Sequence, residues 1–399
     1  MMDRRSQIIL DGLQRWLSRL WPLYLALLAL VWAALVIRPA LMQHGHISSD
    51  WLIDYRFGFV RRGLSGELFW SLQQLTDVSA LYWVAGVQFV AFVTLLGGLW
   101  WLTRTARVPL SFWLLAFSPA TLAFSFFSEF EAGRKEVVLF ALCAAFAVWL
   151  TQLKRNAVRR VPLWALPAWG GAVVVGVLMH ELIAFYVPWM VWMLWRTEAI
   201  SRSGRWALSA TLLAAAMGTL AMLMAWGGPL DGSRFCRAFV DDGMSASLCR
   251  GTLVFPLTAV NESIANTRLL ASQFNYVGVY GAGLLLALLP AGWMAFAEGW
   301  RPSRRTVWAV GGCVALTIPL FVLALDWGRF IQIHLVLGLI ACAMSLRAGA
   351  AASAPAVRPK WRLWVFVAAL AGLALWDLPV CCESGVGRGV LGQALRLMG

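Results

Sequence analysis

The sequence predicts an all-α integral membrane protein of about eleven transmembrane helices (10–12), joined by short loops. Three observations predict it. Hydrophobic residues make up 61 % of the chain and charged residues 13 %, where an ordinary soluble domain carries roughly 25 % charged residues. Apolar runs of spanning length recur from end to end, and mean hydropathy is +0.73. The 24 tryptophans cluster near the ends of those runs, at Trp100 and Trp101, from Trp189 to Trp195, and at Trp361 and Trp364. That is the distribution of an aromatic belt at the membrane–water boundary.

The chain opens on a polar, basic stretch (Arg4, Arg5, Arg15, Arg19), and the first apolar run follows at 21–37. A cleaved signal peptide is the rival reading. The run is long for one and no small-x-small site follows in RPALMQHG, so a retained first span is expected. A polar loop and an interfacial helix reaching Asp77 come next. Further runs fall at 80–102, 109–128, 136–153, 162–179, 182–195, 206–226, 275–297, 306–325, 330–346 and 363–380. The run at 182–195 is short for the ~20 residues that cross hydrocarbon, so it tilts or stops short of the far side. The whole chain, 1–399, reads as one polytopic domain, with 38–79 as a first periplasmic loop containing an amphipathic helix and 227–274 as a larger periplasmic loop.

Basic residues set the orientation. The N-terminus and the loops near 104, 155, 200, 303 and 355 hold 20 Lys+Arg against 4 Asp+Glu, and the other side holds 13 against 15. The first set is therefore expected in the cytoplasm, with the C-terminus in the periplasm. The net charge of +14 does not point to nucleic acid, because its basic residues are spread over many short loops. Seven cysteines are too few for a disulfide scaffold. Cys236 and Cys249, in the larger outer loop, are placed for a disulfide on an oxidising side, with two free thiols as the alternative. No metal or nucleotide motif is present, and no internal repeat is evident.

One stretch stands apart. His46 to Glu67, HISSDWLIDYRFGFVRRGLSGE, holds Asp50, Asp54 and Glu67, Arg56, Arg61 and Arg62, and Gly58, Gly63 and Gly66, interleaved with aromatics. Three other clusters fall at span ends on the same expected face: SEFEAGRKE (Ser128 to Glu136, with Glu131, Arg134 and Lys135), His180 with Glu181, and Asp326 with Arg329. Each has a plain structural alternative. Arg134 and Lys135 fit a solvated charge run beside glutamates. His180–Glu181 fits an interfacial turn, and Asp326 and Arg329, three apart, fit mutual neutralisation across a helical turn. Their convergence on one face is the functional signal, since ionisable residues at membrane depth are costly and tend to serve function.

These residue types suit transfer of a lipid-linked anionic group. Arg61 and Arg62 offer planar forks for phosphate oxygens, and Arg134 and Lys135 precede a helix N-terminus, which favours anions. Asp54, with Asp50 second, is the candidate base for an acceptor hydroxyl. Four residues apart, the two would face the same way on a helix and hold one carboxyl's pKa up.

An acidic residue in the first external loop, with basic residues on the same face, resembles the GT-C class of membrane glycosyltransferases. RFGFVRRG and DWGRF look like the membrane proteins of bacterial exopolysaccharide clusters, among them the O-antigen polymerase group. The resemblance implies a GT-C-like inner-membrane enzyme that transfers or polymerises sugar from a polyprenyl-phosphate or polyprenyl-diphosphate donor to a glycan acceptor at the periplasmic face. By that resemblance Asp54 or Asp50 would match the first-loop carboxylate. The chemistry of the other residues, rather than any family motif, sets Arg56, Arg61, Arg62, Glu131, Arg134, Lys135, His180, Glu181, Asp326 and Arg329 around the substrate. No cofactor is implied, and no ligand spacing demands a divalent metal. The alternatives are a transporter or lipid-linked-glycan flippase, a non-catalytic scaffold of a polysaccharide assembly complex, and, more weakly, an acyltransferase centred on His180.

Overall fold

Apolar runs in a bilayer must satisfy their backbone internally, which leaves helices as the local solution. The computed structural model has that character and describes residues 4–43, 45–126, 133–198, 200–228, 231–249, 260–347, 361–381 and 385–392. Its helices are α1 (Arg4–Leu41), α2 (Gly45–Trp51), α3 (Gly63–Thr76), α4 (Ala80–Thr103), α5 (Leu110–Ala116), α6 (Glu136–Arg155), α7 (Ala165–Met179), α8 (Ile183–Trp195), α9 (Arg202–Trp226), α10 (Gly232–Asp241), α11 (Val260–Gln273), α12 (Tyr276–Ala297), α13 (Arg304–Ala315), α14 (Ile318–Leu323), α15 (Trp327–Arg347) and α16 (Trp361–Gly372). Among the described residues, seven helices are long and apolar enough to cross a membrane: Gly12–Leu41, Ala80–Thr103, Glu136–Arg155, Arg202–Trp226, Tyr276–Ala297, Arg304–Leu323 and Trp327–Arg347. Ala165–Met179, Ile183–Trp195 and Leu363–Leu375 are apolar but shorter. The chain is a multi-pass membrane protein.

The run at 109–128 is not the continuous span its hydropathy suggests. Helix α5 stops at Ala116. Pro119 lacks a backbone N–H and disfavours helix at the residue before it. Thr121 Oγ1 then donates to the carbonyls of Leu115 (2.9 Å) and Ser118 (2.8 Å).

The chain packs as two units. One comprises Met1–Leu28, Leu99–Ser128 and Asn261–Gly399. Its core gathers Trp21 against Phe112, Trp113 and Phe117, and Tyr276 and Tyr280 against Trp327. Glu298 caps the start of α5, accepting from the Leu110 amide (2.6 Å) and the Ser111 hydroxyl (2.6 Å).

The other unit, Ala29–Gly98 and Glu129–Val260, carries most of the singled-out residues. Its frame is the pair α7 and α8 packed on α9. The Ser201 amide donates to the Arg159 carbonyl at 2.8 Å, so the chain entering α7 and the chain leaving α8 meet at one end. The two helices are thus a hairpin with His180, Glu181 and Leu182 at its tip. At 1.5 Å per residue, arms of 15 and 13 residues reach only about 22 and 20 Å, short of a ~30 Å hydrocarbon core. Gly170 permits the close approach of α7 to α9, because a Cβ there would lie 2.9 Å from Thr211 Cγ2.

Candidate functional site: a buried charge cluster under the first loop

The first loop folds down onto the tip of that hairpin. Helix α2 ends at Trp51, whose indole Nε1 donates to the Gly133 carbonyl at 2.8 Å; the Gln88 amide donates to the same oxygen at 2.5 Å. Leu52, Ile53 and Asp54 continue into the core. The chain then turns through Gly58, at φ +112°, and pairs Val60 with Gly228 in an isolated parallel bridge. It returns so closely that a Cβ on Gly66 would meet the Ile53 carbonyl oxygen at 2.1 Å. A helix forms between the loop and Asp77 as α3, preceded by Arg62 in the left-handed region at φ 65°.

That backbone costs a non-glycine residue about 1–3 kcal/mol, and three groups hold Arg62 in it. Its guanidinium grips Glu181, with Nε 2.8 Å from Oε2 and Nη2 2.7 Å from Oε1. Nη1 reaches Asp50 Oδ1 at 3.4 Å. Its carbonyl accepts from Lys135 Nζ at 3.2 Å. Lys135, 1 % exposed, also lies 3.7 Å from Asp50 Oδ2 and 5.9 Å above the Trp51 ring. His180 completes the group. Its Nε2 is 3.3 Å from Glu136 Oε1 and its Nδ1 is 3.5 Å from Glu181 Oε2.

Burial and pairing pull against one another here. For Asp50, burial disfavours ionisation, but Lys135 and Arg62 outweigh it and hold the carboxyl below its usual range. Glu181 is held well below its usual range against the same burial penalty, chiefly by Arg62. Burial lowers Lys135 to about 8 despite Asp50. Arg62 goes up, because Glu181 and Asp50 overcome its desolvation.

Asp54 lies in a second, adjoining arrangement of the same unit. Its Oδ2 is 2.7 Å from Arg56 Nε and its Oδ1 accepts from the Arg56 amide at 3.1 Å. Arg56 stacks 4.7 Å over Trp70 and continues to Asp242 Oδ2 at 2.6 Å. Asp242 follows α10, which is stapled by a Cys236–Cys249 disulfide and packs Phe235 and Phe239 against Phe57 and Trp70. Burial raises the Asp54 carboxyl above its usual range, and Arg56 offsets this only in part.

Asp50 and Asp54 therefore differ as expected, but not for the expected reason. Helix α2 ends at Trp51, so the two do not share a helical face, and burial rather than mutual repulsion raises Asp54.

The structure brings Asp50, Arg62, Lys135, His180 and Glu181 into contact and sets Asp54 and Arg56 beside Asp242. Arg61 and Arg134 are half-buried; Arg61 passes over Gly227, where a Cβ would lie 3.3 Å from its Cγ. Asp326 and Arg329 belong to the other unit, where they pair with one another. Glu131 lies outside the described residues. Among the described residues, no three His, Cys, Asp or Glu side chains are grouped to hold a metal ion. Two members escaped the sequence reading. Glu136 lies in the charge run SEFEAGRKE, which hides it, and Asp242 carries no local signal at all.

Neither a curated protein nor a solved structure matches the chain. One family model matches residues 23–279, more than half of the chain and the whole of the unit that holds the cluster. The protein belongs to the family described as uncharacterised membrane protein Rv1490.

Proposed function

We propose that the protein is a GT-C-like glycosyltransferase or polysaccharide polymerase of the bacterial inner membrane, using a polyprenyl-phosphate or polyprenyl-diphosphate sugar at the periplasmic face. One observation carries the reading: two carboxylates of one loop in opposite electrostatic states. Asp50, paired with Lys135 and Arg62, has its carboxyl held below the usual carboxylate range. Asp54, raised by burial and held by one arginine, is matched to taking up a proton.

In the proposed step Asp54 accepts the proton of an acceptor hydroxyl. That oxygen bonds to the anomeric carbon of the donor, and the bond from this carbon to the phosphate oxygen breaks. The carrier phosphate leaves with the electron pair. Arg61 and Arg134 are the candidates to receive it. Arg62, engaged by Glu181 and Asp50, serves here as the residue that fixes the loop to the hairpin tip.

A transporter or flippase is the second reading, favoured by the α7–α8 hairpin. Transporters place polar groups where short or broken helices end inside the membrane.

The test is release of polyprenyl (di)phosphate from lipid-linked sugars by purified protein in liposomes. Wild type should release carrier only with glycan acceptor present. Asp54→Asn, at wild-type thermal stability, should lose about 10²–10⁴-fold, as removal of a general base does. Carrier release that Asp54→Asn leaves intact would refute the assignment.

A further inference from the structure

We propose that the base of the α7–α8 hairpin, with the end of α6 and the start of α9, binds the phosphates of anionic phospholipid headgroups. The inference rests on the geometry and charge of this one unit and stands whether or not the protein transfers sugar.

Two connections meet at that base. The α6–α7 and α8–α9 connections are joined where the Ser201 amide donates to the Arg159 carbonyl at 2.8 Å. Gly204, in the first turn of α9, lets them close up: a Cβ there would lie 3.0 Å from Val161 Cγ2 and 3.1 Å from Ile200 Cγ2. Trp149 of α6 packs on Trp164 and Trp169, with ring centroids 6.4 and 5.5 Å away, and so ties α6 to the same corner.

The meeting gathers charge from distant stretches of the chain. Lys154 and Arg155 close α6, Arg159 and Arg160 lie in the first connection, Arg196 follows α8 and Arg202 opens α9; all of them are exposed. Arg205 adds a half-buried charge, its guanidinium 5.0 Å over the Trp195 ring and its Nη1 3.4 Å from the Trp195 carbonyl. Among the described residues of the two connections, Glu198 is the one acidic side chain. So large a surplus of one sign repels itself unless anions lie against it.

Helix length sets that charge at the depth of lipid phosphates. Helices α6 and α9 are long and apolar enough to cross a membrane, so their ends mark its boundary. Apolar side chains stand exposed among the basic ones: Leu163 is 87 % exposed, and Trp164 and Trp206 are each 59 % exposed. Tryptophan belongs at that boundary. Long basic side chains lay their stems along lipid there and hold their heads at the phosphates, which arginine forks match. An acidic protein would match the charge, but it would have to enter the headgroup layer to cover the apolar side chains.

This surface is separate from the first-loop cluster. The 15 residues of α7 put about 22 Å between it and the hairpin tip, so a lipid held here is not the proposed sugar donor.

The test is native mass spectrometry of the full-length protein in neutral detergent, titrated with phosphatidylglycerol or with phosphatidylcholine of the same acyl chains. Each basic residue near an anionic membrane strengthens attraction about fivefold. Phosphatidylglycerol should therefore bind at least about tenfold more tightly than phosphatidylcholine. The Arg159→Gln, Arg160→Gln, Arg202→Gln triple variant, changed only at exposed positions, should lose that preference. Arg202→Gln alone should weaken phosphatidylglycerol binding about fivefold, which keeps the test decisive if the triple variant fails to fold. Equal affinity for the two lipids would overturn the proposal and leave an acidic protein as the occupant that fits. A preference that survives these variants, or phosphatidylglycerol displaced by millimolar inorganic phosphate, would also overturn it.

Discussion

Asp50 and Asp54 carry the same side chain four positions apart, yet their surroundings assign them opposite acid–base behaviour. Asp54 is raised by burial, so its basic form fills only above the ordinary carboxylate range of about 3.9. In the proposed reaction the acidic limb of the rate–pH profile should therefore lie above that range. Asp50, lowered by Lys135 and Arg62 against its own burial, has the opposite linkage. Its ionisation contributes stability that is present above the unfolded pKa and is lost as pH falls through the lower folded one. Asp50→Asn should accordingly destabilise the protein at neutral pH, with the gap to wild type closing on acidification, while the rate limb keeps its position. Thermal unfolding and carrier release followed across pH check both halves. A limb at the ordinary carboxylate range, or an Asp50→Asn deficit that does not depend on pH, would contradict them.

At the scale of elements, the site depends on loop segments tied down by distant partners rather than on any one helix. Helix α10 is held to the first loop by Arg56 and Asp242 and by Phe57 and Phe235, and the Cys236–Cys249 disulfide ties α10 to the segment that follows it. A cross-link spanning 13 residues contributes about 3 kcal/mol in the chain-entropy account. The Cys236→Ser, Cys249→Ser double variant should therefore unfold at a lower temperature than wild type, and reductant should lower the wild type alone. Equal unfolding temperatures with and without reductant would mean that the staple does not form. Much of this level was legible in the sequence. The helix after the first loop, the short second arm of the hairpin and the cysteine pair at 236 and 249 each had a local signal in spacing or length. The break after α5 had one too, in Pro119, but the apolar run around it masked the signal in hydropathy. The Arg56–Asp242 contact could not be read, because its partners are 186 residues apart and DDG looks like any polar turn.

Across the whole molecule, charge and hydropathy fix the class, a multi-pass helical membrane protein, while contacts decide which clusters meet. Three of the four clusters singled out by residue type contribute to one buried network, because the loop after α1, the start of α6 and the tip between α7 and α8 are joined by ion pairs. Asp326 and Arg329 pair with one another in the other unit, with Asp326 just before α15 and Arg329 in its first turn. The proposed chemistry also requires a side, since a donor presented in the outer leaflet is useless to a site that opens inward. The most direct measurement is a set of topology reporters fused after Gly66, Gly133, Asn156, Gly232 and Ser303 in the living cell. The account predicts a periplasmic signal after Gly66, Gly133 and Gly232 and a cytoplasmic signal after Asn156 and Ser303. A cytoplasmic signal after Gly66 would place Asp54 on the wrong side of the membrane and contradict the proposed function.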